Sequence, residues 1–201
     1  MADQRPDLIL ATTSSKEKHA FEKLRIPFEG VESGVDESTY RTDDPDSLTA
    51  ELSKRKARAV AEKHRKKTVV AIHTVGHHRR DILEAPMTKE HARLKLQELS
   101  GETHEVLTGI TVIREGIEKT EVVTTTVAFR ELSDEEIDAY LEEDKQAVKR
   151  TLGYDPLKHR SATFIKSIEG SPHNLLSSMP LETVKEMLGA AEETKLQKGS
   201  K

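Results

Sequence analysis

The sequence contains no cysteine and no tryptophan, and only 3% of its 201 residues are aromatic. The absence of cysteine excludes a disulfide framework, a thiolate metal site and a cysteine nucleophile. The scarcity of aromatic side chains predicts an aliphatic core built from Leu, Val, Ile and Ala. A chain of this length can bury one sizeable core or two small ones.

The sequence also lacks an excess of charge of one sign and any long hydrophobic run. Charged residues make up 34% of the chain, but they nearly cancel to a net charge of −4. This balance argues against a nucleic acid or a membrane surface as a partner. No apolar run approaches the roughly 20 residues of a membrane span, and the N-terminal run LILA is too short for a signal peptide. We therefore expect a soluble, cytoplasmic protein in which any nucleotide site is a local feature of a cleft.

Apolar runs and helical periodicity alternate along the chain in the order βα, β, α, β-hairpin, α, ββ, α, β, α. This order predicts a mixed α/β fold, and no repeat or linker interrupts it. We expect a single domain over residues 1–189, followed by a polar, disordered tail at residues 190–201.

The first apolar run is followed by the hydroxyl-rich turn TTSS and then by a helical pattern. Ser14 or Ser15 is expected to cap this helix, and Thr88 and Ser133 are expected to cap two later helices. A strand that enters a helix through small hydroxyl residues often presents backbone N–H groups to a phosphate. The same turn can also be an ordinary helix cap, and on local evidence that simpler interpretation is preferred.

Three histidines, His73, His77 and His78, lie close together in the stretch VVAIHTVGHHRRDIL. Residues 68–75 are expected to form a strand, and the polar segment HHRRD a hairpin turn. Strand residues four apart lie roughly 13 Å from each other, whereas zinc–imidazole bonds measure about 2.1 Å. His73 and His77 therefore cannot share one ion, and two arginines beside the predicted turn oppose a cation there. We predict that these histidines do not form a zinc site.

Several longer stretches occur in a recognisable order. They include LILATTSSKEK before a helix, VVAIHTV, LSGETHEVLTG, FRELSDEEI and IEGS, of which the last three are the most specific. Together they resemble the Maf (septum-formation-inhibitor-like) family of nucleoside triphosphate pyrophosphatases, from residue 7 to about residue 189.

The resemblance implies a fold as well as an activity. It implies a Maf/ITPase-like mixed twisted β-sheet flanked by helices, with two lobes around a central cleft. Family members use a divalent cation, Mg²⁺ or Mn²⁺, to hydrolyse a nucleoside triphosphate to the monophosphate and pyrophosphate. They are thought to remove non-standard nucleotides, and they often form homodimers. A nucleotide is thus the implied ligand.

The family's phosphate loop has the pattern Ala-Ser-x-Ser-Pro-Arg-Arg, which is only partly retained at residues 11–17. The resemblance assigns substrate binding to Thr12, Ser14 and Lys16, which keep two hydroxyls and one positive charge. Glu17 reverses the charge of the last position, where the family has arginine.

The implied catalytic residues are Glu37, Lys56 and His73. Glu37 matches the family's acidic position near the metal, and Lys56 matches its cleft lysine. His73 stands where the family has the aspartate that binds the metal and serves as the general base. The resemblance therefore makes Glu37 and His73 the candidate metal ligands.

Two further family positions differ downstream. Ala85 replaces the lysine of a Lys-Pro pair. The family's Tyr-Gly-Ile-Gln-Gly stretch corresponds only loosely to GYDPLKH, in which Tyr154 matches the tyrosine and Lys158 falls near the glutamine. Lys158 is accordingly the last predicted substrate-binding residue.

Three hypotheses about the function are compatible with the sequence. The chain is a weak pyrophosphatase, with His73 as a base or as a softer ligand that favours Mn²⁺, Co²⁺ or Zn²⁺ over Mg²⁺. Alternatively, it is an inactive relative that binds nucleotide or a protein partner in the same cleft. The third hypothesis is a structural protein without a ligand, in which the retained polar residues serve only as caps and surface groups.

If the substituted cleft positions limit hydrolysis, restoring them will restore activity. We predict that the triple variant Glu17→Arg, His73→Asp, Ala85→Lys gains at least about 10²-fold in Mg²⁺-dependent pyrophosphate release, because a general base alone contributes about that much. Melting temperatures of parent and variant serve as the control, since surface substitutions change stability by only about ±0.5 kcal/mol. A folded variant with no gain contradicts this prediction, as does a parent that already turns over at roughly 1 s⁻¹ or faster.

Overall fold

The computed structural model describes residues 6–198, with side chains described up to residue 189. The strands are β1 (Leu8–Leu10), β2 (Glu29–Gly30), β3 (Thr68–His78), β4 (Asp81–Leu83), β5 (Thr103–Arg114), β6 (Ile117–Phe129) and β7 (Ile165–Glu169). The helices are α1 (Ser15–Glu22), α2 (Pro45–Ala61), α3 (Lys89–Leu99), α4 (Asp134–Glu143), α5 (Pro172–Ser177) and α6 (Leu181–Lys198). Short 3-10 helices occupy Glu37–Thr39, Ala147–Lys149 and Arg160–Thr163.

Within the described residues, the strands form one seven-stranded sheet in the order β2-β1-β3-β5-β6-β7, with β4 paired to β3. Strand β1 runs parallel to β2 and β3, whereas β4 is antiparallel to β3 and β7 is antiparallel to β6. The sheet is therefore mixed, and the predicted mixed α/β fold is confirmed. Among residues 6–198, no helix combines the length and apolarity needed to cross a bilayer.

The chain divides into two compact units that are each discontinuous in sequence. The first unit comprises the chain up to Thr74, Thr108–Val123 and the chain from Ser177 onward. The second unit comprises Val75–Leu107 and Thr124–Leu176. The tail predicted for residues 190–201 overlaps the last turns of α6, and residues 199–201 lie outside the described part of the chain.

In the first unit, apolar side chains cover both faces of the sheet. One face packs against α1 and α6 through a cluster that includes Leu10, Phe21, Ile72 and Val184. The opposite face packs against α2 through a smaller cluster: Ile9, Ala11, Ala57, Val60, Val69 and Ala71. Burial on both faces explains why β1 and the start of β3 are continuous apolar runs instead of alternating ones.

The core of the second unit is partly aromatic. The chain has three tyrosines and four phenylalanines, and four of these seven residues lie in this one cluster: Phe129, Tyr140, Tyr154 and Phe164. The Phe129 ring packs edge-on against Tyr154 and Phe164. The prediction of a purely aliphatic core is therefore wrong for this unit. The error arises because overall composition does not show where a few aromatic residues converge.

The predicted helix caps and hairpin are confirmed, with one correction. Ser14 caps α1, Thr88 caps α3 and Ser133 caps α4. His77 and His78 are not in the hairpin turn, because β3 continues through His78 and pairs it with Asp81. Ladder pairing with β4 extends the strand beyond the point where its apolar run ends.

Helix α2 lies directly against β5 at Gly109, the last residue of the LSGETHEVLTG segment. A Cβ atom at this glycine would lie 2.2 Å from the backbone oxygen of Thr49. Nearby, the hydroxyls of Ser53 on α2 and Thr111 on β5 are 2.9 Å apart and buried. The glycine is required here because a helix backbone, unlike a flexible side chain, cannot move aside.

We predict that Gly109→Ala lowers the free energy of unfolding by about 1–3 kcal/mol, the usual cost of an overpacked core. Urea denaturation measures the change. Gly189→Ala is the matched control, because a Cβ atom there meets nothing within 4 Å and alanine favours a helix interior. A Gly109→Ala variant as stable as the parent contradicts the close packing of α2 against β5.

Candidate functional site

A cavity of about 260 Å³ lies beside the turn between β1 and α1 in the first unit. Its lining combines hydroxyls, one lysine and three carboxylates, namely Thr12, Thr13, Ser14, Ser33, Lys56, Glu17, Glu32 and Glu37. The cavity thus contains four of the residues that the resemblance assigned to the site, together with the charge reversal at Glu17.

The retained hydroxyls organise the start of α1. The Ser14 side chain accepts a hydrogen bond from the Glu17 backbone N–H at 3.3 Å. The Ser14 backbone N–H in turn donates to the Thr12 hydroxyl oxygen at 2.9 Å. Both hydroxyls therefore act in helix capping, and they also border the cavity.

The Glu17 carboxyl group lies in an unusual environment. Its Oε2 atom is buried and has no hydrogen-bond partner. Burial raises the pKa of this carboxyl, while a hydrogen bond from Thr12 and the charges of Lys56, His73 and Lys16 act in the opposite direction. This is the carboxyl group that the resemblance matches to an arginine of the family pattern.

Glu37 connects the other two predicted catalytic residues. The Lys56 Nζ atom lies 3.2 Å from Glu37 Oε1, and His73 Nδ1 lies 3.6 Å from Glu37 Oε2. The side chains of Lys56 and His73 are each 14% exposed, whereas Glu37 is 47% exposed. The contacts with His73 and then Lys56 lower the pKa of Glu37 to about 2, against a smaller desolvation effect.

This arrangement follows from the packing of α2. Side chains alternate along a strand, so His73 shares the face of β3 with Val69 and Ala71, the face that α2 covers. Alanines at positions 11, 57 and 71 allow the helix to approach that face closely. Lys56 precedes the buried Ala57 and therefore extends from α2 at the border of the cavity.

The donors of this site do not fit a resident divalent cation. Both oxygens of Glu37 already face nitrogen atoms, one of them on a lysine that repels a cation. Within residues 6–198, no group of three or more His, Asp or Glu side chains is placed to hold a metal ion. That Glu37 and His73 bind a cation stays a prediction.

Two predicted substrate-binding residues are not among the residues that line this cavity. Lys16 is exposed and is not among the residues that line the cavity. Lys158 is exposed and belongs to the second unit. The structure therefore brings together Thr12, Ser14, Glu37, Lys56 and His73.

The loosely aligned loop around Lys158 has a well-defined local structure. The Tyr154 hydroxyl is 2.7 Å from the His104 ring Nε2, and both residues are buried. Burial, with a smaller effect from His78, lowers the pKa of His104 to about 4. His159 has a φ of 62°, a conformation that favours glycine.

Sequence reasoning noted Glu17 only as a reversed charge and missed Glu32 as a cavity residue. The pattern Ser14-Ser15-Lys16-Glu17 is typical of a capping box, in which the glutamate would turn back to the helix start. Only the contact between Thr12 and the Ser14 N–H shows that the glutamate is not used in that way.

The structure defines a mixed α/β protein with a polar cavity at its first strand–helix turn. The family model described as Maf-like protein matches residues 7–191. The chain belongs to the Maf family.

Three bacterial relatives illustrate the similarity, and each is named dTTP/UTP pyrophosphatase. The protein of Halalkalibacterium halodurans is 33% identical over 87% of this chain and 90% of its own length. The protein of Geobacillus sp. is 33% identical over 90% of this chain and 96% of its own length. The protein of Salinibacter ruber is 33% identical over 92% of this chain and 90% of its own length.

We predict that the Glu37 side chain titrates near pH 2 in the folded protein, which carbon-13 NMR of the side-chain carboxyl can measure. Because this pKa is lowered from 4.5 to about 2, ionised Glu37 stabilises the fold above pH 4.5, and the contribution is lost as the pH falls toward 2. His73→Ala should raise the midpoint by removing the largest cause. A parent midpoint near 4.5 contradicts the contact between Glu37 and His73.

Proposed function

We propose that this protein hydrolyses nucleoside triphosphates to monophosphates and pyrophosphate, with pyrimidine triphosphates such as dTTP and UTP as the substrate class. The observation that carries this proposal is the chain of contacts Lys56–Glu37–His73 beside the cavity at the β1–α1 turn. The names of the relatives support both the reaction and the substrate class.

Each residue of the chain of contacts has a separate role. Lys56 binds phosphate oxygens, since its ammonium group borders the cavity. Glu37 is a positioning residue, because one of its oxygens faces Lys56 and the other faces the His73 ring. When His73 Nδ1 carries the proton and faces the carboxylate, Nε2 is left as the basic nitrogen.

In the proposed hydrolysis, a water oxygen attacks the α-phosphorus, and its proton moves to His73 Nε2. The bond between the α-phosphorus and the bridging oxygen breaks, and pyrophosphate leaves with the electron pair. Glu37 stabilises the imidazolium that forms, and the proton later returns to solvent. In this proposal the histidine supplies the base that the family's aspartate supplies elsewhere.

Family membership implies that a divalent cation assists this chemistry by neutralising charge on the phosphates. Within residues 6–198, the donors present do not form a three-ligand group that would hold this cation. We also propose a slow reaction, since Glu17 and Ala85 stand where the family carries cationic side chains. A cytoplasmic location and a homodimer remain further parts of this proposal.

A second candidate function is nucleotide binding without hydrolysis. The buried Glu17 carboxyl favours it, since its Oε2 atom has no partner and stands where a cationic group would stabilise the transition state. In this alternative, Thr12, Ser14 and Lys56 still bind nucleotide, but no product forms.

The discriminating experiment measures pyrophosphate release from dTTP, UTP and purine triphosphates over a panel of divalent cations. We predict that the parent protein releases pyrophosphate. We also predict that His73→Ala lowers kcat/KM at least about 10²-fold, the usual contribution of a general base. His19→Ala is the matched control, because His19 is 79% exposed and lies in the last turn of α1.

The other outcomes separate the two candidates. Nucleotide binding with no product from the parent rejects hydrolysis and supports the binding protein. A parent that neither binds nor cleaves nucleotide rejects both candidates. Release that is insensitive to His73→Ala rejects the histidine as the base.

A further inference from the structure

Helices α1 and α4 begin with the same sequence pattern but use it differently. In α4, Ser133 caps the Glu136 backbone N–H, and the Glu136 carboxylate accepts the Ser133 backbone N–H at 3.1 Å. This reciprocal arrangement is the capping box. Ser14 and Glu17 have the same spacing at the start of α1, so their sequence predicts the same structure.

Thr12 prevents that outcome in α1. Its hydroxyl oxygen accepts the Ser14 backbone N–H at 2.9 Å, which is the donor that the glutamate would otherwise satisfy. The Glu17 carboxyl group is therefore not engaged in capping, and its residue lines the cavity. Its Oε2 atom is buried and has no hydrogen-bond partner.

The groups around this carboxyl are those that an anionic ligand would use. Thr12 and Lys56 line the same cavity, and the Thr12 hydroxyl and the Lys56 charge both favour the ionised form of Glu17. His73 acts in the same direction from β3, and Lys16 does so from α1. The remaining carboxylates of the lining belong to Glu32 and Glu37, and Glu37 already holds one ion pair with Lys56 at 3.2 Å.

We propose that Glu17 is a specificity-determining residue, an internal anion that competes with the ligand's phosphate groups for Thr12 and Lys56. The inference rests on the proposed nucleotide-binding function of this cavity and adds that Glu17 lowers the affinity of the cavity for the phosphate groups of its ligand. A polyphosphate must displace the carboxylate or accept its repulsion, whereas an uncharged nucleoside need not do either.

The test compares the affinity of the full-length protein for inorganic pyrophosphate and for uridine by calorimetry. Glu17→Gln keeps the shape of the side chain and removes its charge. We predict that it tightens pyrophosphate binding at least about 10-fold, because one charge a few ångströms from a polyanion has a large effect at a partly buried site. Its affinity for uridine should stay within about twofold, since the nucleoside carries no charge that Glu17 can repel.

Glu22→Gln is the matched control, because Glu22 ends the same helix, is exposed, and lies outside the cavity lining. Glu17→Ala provides a second variant that removes the charge without an amide. If neither folded Glu17 variant binds pyrophosphate more tightly than the parent does, the inference is wrong. Equal tightening by Glu22→Gln also overturns it, since the effect would then reflect only net charge.

The readout is separate from catalysis. Pyrophosphate affinity is measured without turnover, so an inactive protein that gains affinity on Glu17→Gln supports the inference while rejecting hydrolysis. Conversely, an active parent whose pyrophosphate affinity does not respond to Glu17→Gln keeps the proposed function and loses this inference.

Discussion

The close packing of α2 against the sheet is the constraint on which the candidate site depends. Gly109 allows the Thr49 backbone to approach β5, and alanines at positions 11, 57 and 71 keep the interface between α2 and strands β1 and β3 thin. Larger side chains at these positions would lift the helix and carry Lys56 away from Glu37. Gly109 in the LSGETHEVLTG segment therefore has a structural role. Because it lets α2 pack closely against β5, it helps to place Lys56 at the site.

The chemistry of the cavity is determined by the pairing of its charges. Glu37 is ionised because two nitrogen-bearing side chains contact it, and its pKa is accordingly low. Glu17 has no such partner at Oε2, so burial raises its pKa. Two carboxyl groups in one cavity thus differ in their preference for a proton, a pattern often found at functional sites. The raised pKa belongs to Glu17 on α1, and the lowered pKa belongs to Glu37, whose carboxylate faces His73 on β3.

Much of the architecture could be predicted from local patterns. Apolar runs predict β1 and β3, and the hydroxyl or acidic residues before each helix predict caps at Ser14, Thr88 and Ser133. The end of β3 could not be predicted in this way, because ladder pairing with β4 decides it. The aromatic cluster around Phe129 was also missed, since its members are distant in sequence and meet only when the chain folds.

The sequence by itself determined the family and the element order, because these properties depend on short-range pattern and on matched motifs. Only the tertiary structure decided how the residues of the candidate site interact. It placed Glu37 between Lys56 and His73, and it turned Glu17 from a capping position into the cavity because Thr12 had taken its donor. The physical reason is that hydrogen-bond partners and burial depend on groups brought together from different elements. Spacing along the chain therefore cannot specify them.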